Sequence, residues 1–117
     1  MKALHIRQDR SLVLQDDPPP PPPGPDEVLV SMSYASICGY EIMILRGQAA
    51  IPPSGVLGHE GSGIVSAVGS NVTEVHPGDP VAILPYLSCG KCDACRSNRS
   101  EYCINAAQTV SLMQEYV

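Results

Sequence analysis

Cys89-Gly90-Lys91-Cys92-Asp93-Ala94-Cys95, followed by Cys103 beyond a polar loop, is the stretch on which the fold of this chain turns. Two consecutive two-residue spacers and a fourth thiol close behind can converge on one tetrahedral centre. Spacers of that length let backbone N–H groups turn toward the sulfurs while the side chains point at a shared ion. Four thiolates close a coordination sphere and leave no position for water, so a metal held there builds structure and does no chemistry. Zinc is the leading reading, beside two alternatives. Disulfides call for an oxidising compartment, but Met1-Lys2-Ala3-Leu4-His5-Ile6-Arg7 is charged from the start and has no apolar signal segment, which points to a cytoplasmic protein. A cubane iron–sulfur cluster also begins with two two-residue spacers, but continues with a three-residue spacer and Cys-Pro. Here seven residues separate Cys95 from Cys103, and Ile104 follows.

Composition bounds what surrounds this lobe. At 117 residues the chain is one domain, large enough for a core. It has no Phe and no Trp, so the core is expected to be built from Val, Ile, Leu and Ala. Ten Gly and twelve Pro favour turns and short strands over long helices. No apolar run approaches a membrane span. The net charge of −5, made more negative by a four-thiolate zinc site, argues against nucleic acid as a partner. Lys91, Arg96 and Arg99 stand near the thiols, and their simplest role is to offset thiolate charge.

Along the chain the plan is β-rich. Ala3–Arg7 and Ser11–Gln15 read as short strands about an Asp9-Arg10 turn. Pro18 through Pro23 lack the N–H groups a sheet needs and are expected to run extended as a connection rather than as a recognition ligand. Asp26–Ser36 reads as a strand and Gly39–Leu45 as a short helix. Ile64–Val68 and Val81–Leu84 read as strands on either side of a His76-Pro77-Gly78-Asp79 turn, which Asp79 shapes. The whole predicts a mainly β fold, a small irregular antiparallel barrel with short helices and a zinc-binding lobe at about residues 86–106. His5 and His76 have no ligand-spaced neighbour and are expected to face solvent.

Cys38 and Gly58-His59-Glu60 form the second constellation. A lone Cys is usually a small core residue, and a lone His a satisfied polar group. Together they offer thiolate, imidazole and carboxylate, the donor types of an open zinc site that can polarise an alcohol or carbonyl oxygen. All five cysteines are then accounted for.

From Gly58 the chain reads Gly-His-Glu, two residues, Gly63, five residues, Gly69, two residues, Val72. This resembles the signature of the zinc-containing alcohol dehydrogenases of the medium-chain dehydrogenase/reductase family. Asp26–Val30, Ile37-Cys38-Gly39, Gly78–Val81 and the Cys89–Cys103 lobe follow in the family's order, so the resemblance runs the length of the chain. It implies a GroES-like amino-terminal catalytic domain over residues 1–117, with structural zinc on Cys89, Cys92, Cys95 and Cys103. Catalytic zinc would sit on Cys38 and His59, with Glu60 as a ligand or just behind the metal. Glu41 matches a family carboxylate that hydrogen-bonds the ligating His. Arg46-Gly47 resembles a family pair at the substrate mouth.

Departures from the pattern bear on the substrate. Members that oxidise simple alcohols usually carry Ser or Thr where this chain has Tyr40, and often His where it has Met43. The usual proton relay is therefore missing, and Tyr40, or Glu60 with water, is expected to replace it. A polyol, sugar or amino-alcohol-like substrate, or the matching ketone, is expected over ethanol. Gly61-Ser62-Gly63 leads into a strand and lacks the third Gly, so it is no dinucleotide motif. In the family a Rossmann domain for NAD or NADP and the remaining catalytic zinc ligand follow. The chain thus reads as the front part of a longer, homo-oligomeric enzyme, inactive alone, with Val110–Val117 as a strand leading toward the cofactor part. A non-catalytic zinc-stabilised binding domain and an iron–sulfur module are the other function classes.

Overall fold

The computed structural model describes residues 1–108 and 111–117. β1 (Lys2–Ile6) and β2 (Leu12–Asp16) form an antiparallel hairpin in which Leu4 faces Leu14. β3 (Val28–Ala35), β4 (Gly61–Val68) and β5 (Pro80–Ile83) make an antiparallel sheet in that order, with irregular register after Leu29 and after Met32. α1 (Gly39–Leu45) lies between β3 and β4. β6 (Tyr86–Leu87) and β7 (Ala107–Gln108) pair at the base of an excursion that holds α2 (Asp93–Arg96) and a 3-10 turn over Ser100–Tyr102. The molecule is a mainly β, irregular antiparallel barrel with short helices, as expected.

The buried core is aliphatic, as expected without Phe or Trp: Ile6, Ile44 and Leu57 pack together, and Val30, Val56, Val65 and Leu112 are buried as well. The Pro18–Pro23 connection makes no strand, and Pro20–Pro23 run beside Val28–Val30 along an open apolar cavity of about 610 Å³.

Two expectations need correction. Of the expected strand Val110–Val117, Val110 lies outside the described residues, and Ser111–Val117 pairs at isolated bridges rather than as a continuous strand. It folds back and stitches the hairpin to the three-stranded sheet: the Leu4 N–H donates to the Met113 carbonyl (2.8 Å), and Val30 and Val117 exchange two bonds of 2.7 and 3.0 Å. Burial of Leu112 anchors this return. His5 does not face solvent either. Its Nε2 lies 2.7 Å from the Asp17 carboxylate, half-buried, because the hairpin register carries the chain past β2 back alongside β1. The His76 turn is as expected: His76 is exposed, and its N–H donates to Asp79 (2.8 Å).

Candidate metal centres

The cysteine lobe has no hydrophobic core. None of its described residues is buried, and Tyr86, Leu87, Tyr102 and Ile104 are exposed. Its elements approach one another and not the strands of the barrel. What converges instead is sulfur: the Sγ atoms of Cys89, Cys92, Cys95 and Cys103 all lie within 4.8 Å of one another. Cys92 Sγ is 3.5 Å from Cys95 Sγ and 3.9 Å from Cys103 Sγ. A zinc–thiolate bond of about 2.3 Å gives a tetrahedral sulfur–sulfur edge of roughly 3.8 Å, so the set fits one zinc ion. The thiols of a cubane cap separate irons and stand wider apart, and all five cysteines are free rather than disulfide-bonded.

Backbone amides tune the thiols. The Cys103 Sγ accepts the Cys89 N–H (3.3 Å). The N–H groups of Lys91 and then Cys92 pull the Cys89 thiol down to about 6, whereas burial, with the neighbouring Cys92 sulfur, pushes Cys95 up to about 11. The donors at Cys89 are backbone amides; the role expected of the basic side chains falls at that sulfur to the spacer's own peptide groups.

The second centre is built at the start of α1. Cys38 is its N-cap, in extended conformation; its Sγ accepts the Tyr40 N–H (3.2 Å), and the Glu41 Oε2 accepts the Cys38 N–H (2.9 Å). This is a capping box with a cysteine sulfur in place of the usual hydroxyl oxygen. The second Glu41 oxygen lies 2.8 Å from His59 Nδ1, with both side chains nearly buried. A carboxylate acceptor there places the ring proton on Nδ1 and leaves the Nε2 lone pair free. His59 Nε2 faces Cys38 Sγ at 3.3 Å. Burial works to raise the Glu41 pKa, but the Cys38 amide and thiol and the nearby His59 outweigh it and hold the carboxyl below its ordinary value, hence ionised. The exposed Glu60 brings a carboxylate oxygen within 4.8 Å of both other donors. Three donors of these types are an incomplete tetrahedron.

The loop that presents His59 is pinned from a distance. Gly58 has φ +97°, and a Cβ there would come within 2.8 Å of Met113 Cγ and 2.9 Å of Met113 N. The Leu57 carbonyl accepts from Met113 (2.9 Å) and the Gly58 carbonyl from Leu112 (3.1 Å). Tyr40 packs edge-on to the His59 ring, centroids 5.7 Å apart at 82°, and is half-exposed. The structure thus brings Cys38, Tyr40, Glu41, His59 and Glu60 together and gathers the four lobe cysteines separately. Sequence reasoning missed the Leu112–Met113 brace, which no local signal marks.

An irregular antiparallel barrel carrying a thiol–imidazole–carboxylate cluster and a separate four-cysteine lobe defines a class, and the comparisons agree with it. Residues 24–117 match the family model of the alcohol dehydrogenase GroES-like domain. An L-threonine 3-dehydrogenase of Deinococcus deserti is 37% identical over 109 residues, 90% of this chain and 32% of the relative. Galactitol-1-phosphate dehydrogenase from Escherichia coli superposes with a TM-score of 0.87 at 30% identity, over 100% of this chain and 35% of that one. The crystal structure of an NAD-dependent alcohol dehydrogenase superposes at 0.83 with 35% identity, over 100% and 36%. The chain belongs to the zinc-containing alcohol dehydrogenases of the medium-chain dehydrogenase/reductase family, as their GroES-like domain. It spans about a third of the length of these relatives.

Proposed function

We propose that residues 1–117 are the catalytic, zinc-binding domain of a dehydrogenase that transfers hydride between an alcohol or polyol (or the matching ketone) and NAD or NADP. The observation that carries this is the convergence of Cys38 Sγ and His59 Nε2 at 3.3 Å, with the Glu60 carboxylate beside them. The residues fit zinc: Cys38 and His59 would hold it, with Glu60 as a third donor. Zinc in such an open site supplies a Lewis acid for an alcohol or carbonyl oxygen.

The chain's own groups do the rest. Glu41 fixes the ring and tautomer of His59, so that Nε2 presents its lone pair. Tyr40 sits against the imidazole edge and keeps its ring half in solvent, where its hydroxyl can exchange a proton with the substrate oxygen. Glu60, exposed beside the donors, offers a second proton route through water. Met43, which cannot relay a proton, is exposed where simple-alcohol enzymes often carry His. The L-threonine and galactitol-1-phosphate dehydrogenases among the relatives agree with a substrate bearing more than one polar group.

Metal analysis tests the assignment. The purified chain should carry about two zinc ions, and Cys38→Ser about one, with the four-cysteine lobe still loaded. A wild-type stoichiometry of one that Cys38→Ser leaves unchanged would sink it.

A further inference from the structure

Arg10 occupies the turn between β1 and β2 with φ +64°, a left-handed conformation that is costly for an L residue and free to glycine. Its side chain crosses to the far end of α1. The guanidinium Nη1 donates to the Ile44 carbonyl, in the last turn of the helix, and to the Ala49 carbonyl (3.3 Å) in the loop beyond. That last turn has no basic residue of its own. Among the described residues no carboxylate pairs with Arg10, so these carbonyls are the destination of its charge. The Ile44 carbonyl accepts the Gly47 N–H from the closing turn (3.1 Å), and carbonyls at a helix C-terminus carry the negative end of the helix dipole, so a half-buried cation there is favourable.

α1 has only seven residues, too few to hold its shape alone. Its first turn is fixed by the same Cys38 and Glu41 that form the candidate centre, and Ile44 is buried against Ile6 and Leu57. Any slack at the C-terminal end is passed through less than two turns of helix to Glu41, and from Glu41 to His59 Nδ1. We infer that Arg10 is a positioning residue for the Cys38–His59 centre: it clamps the far end of α1 and thereby keeps the Glu41 carboxylate in register with the His59 ring. The left-handed backbone at Arg10 accompanies a side chain long enough to span from the hairpin to both carbonyls through the one nitrogen Nη1. The inference rests on the zinc reading only for the metal it finally serves.

Arg10→Gly separates the clamp from overall stability, because it removes the guanidinium while relieving the backbone. In the full 117-residue chain the thermal midpoint should hold or rise. Three local signals should nonetheless move. The Arg46, Gly47 and Gln48 amides, which close the end of α1, should exchange with solvent at least about tenfold faster. The proton resonance of the His59 Nδ1–H bonded to Glu41 should broaden or shift. Cobalt affinity at the Cys38 centre, followed by thiolate absorption under chelator competition, should fall roughly three- to tenfold, while the four-cysteine lobe keeps its affinity as an internal control. Arg10→Lys, which keeps a donor, should lie between. Unchanged amide exchange and an unchanged imidazole resonance in Arg10→Gly overturn the inference, as does an equal loss at both metal sites. Should wild type bind no cobalt at Cys38, the zinc reading fails, and the metal-free imidazole and exchange signals still decide the role of Arg10.

Discussion

Glu41 serves two ends of the candidate centre at once. It is 2% exposed, an uncommon place for a carboxylate, and both oxygens are used: one accepts the Cys38 N–H and the other faces His59 Nδ1. A single side chain therefore caps α1 and orients a candidate ligand. Glu41→Ala should lower metal affinity at the Cys38 centre about 10- to 100-fold and cost about 1–2 kcal/mol of stability, through the lost cap and the amide left unpaired. Chelator competition and thermal unfolding measure the two effects separately, and Glu41→Gln should recover part of the stability but less of the affinity. If affinity survives in Glu41→Ala while stability falls, Glu41 is a cap and nothing more. The residue types of this centre were legible in the sequence because a thiol, an imidazole and two carboxylates stood at spacings with a chemical meaning. The brace behind it was not. Nothing local to Met113 says that it closes on Gly58, and the pairing of His5 with Asp17 likewise depends on hairpin register rather than on neighbours in sequence.

Individual elements divide into those that local chemistry dictates and those held by distant partners. Helix Gly39–Leu45 coincides with its expectation because Cys38 and Glu41 supply a capping box and the helix buries Ile44. Strand β4 begins at Gly61 rather than at the expected Ile64: Gly has low strand propensity, and pairing with β3 on one side and β5 on the other draws Gly61–Gly63 into the sheet. At Gly63 a side chain would run into the Ser31 carbonyl, so this signature glycine serves close packing and not chemistry. The cysteine lobe is the opposite case, an element with no buried residue and hence no apolar driving force of its own. Removing its metal should abolish amide protection from about Tyr86 to Ala107 and leave the barrel amides protected, as read by hydrogen exchange before and after chelation; loss of both together would show that the lobe and barrel fold as one unit. The pH dependence follows from the thiols. With Cys95 raised to about 11, metal entry at neutral pH must displace its proton, so affinity weakens as pH falls and protons are released on loading, which a pH-indicator titration with zinc measures.

The described strands and helices of the whole molecule bear on the cofactor half of the proposed reaction. Every strand pairing among the described residues is antiparallel, and α1 and α2 are seven and four residues long. A nicotinamide dinucleotide is bound by parallel βαβ units, with its pyrophosphate at the start of a long helix behind a glycine-rich turn. No such unit is present in the described fold. Gly61-Ser62-Gly63 is interior strand rather than a turn into a helix. The radius of gyration, 15.3 Å, exceeds the roughly 13 Å of a compact domain of this length, as befits a barrel with a projecting lobe. The described fold thus divides the work proposed above: the candidate zinc ligands Cys38, His59 and Glu60 stand on the barrel, which carries no βαβ unit for a dinucleotide among its described residues. The 117-residue chain loaded with zinc should show no saturable quenching or enhancement of NADH or NADPH fluorescence and no turnover of threonine, galactitol 1-phosphate or simple alcohols, while still binding metal at the Cys38 centre. Saturable cofactor binding by this chain alone would overturn that division and require a nucleotide site on the barrel itself.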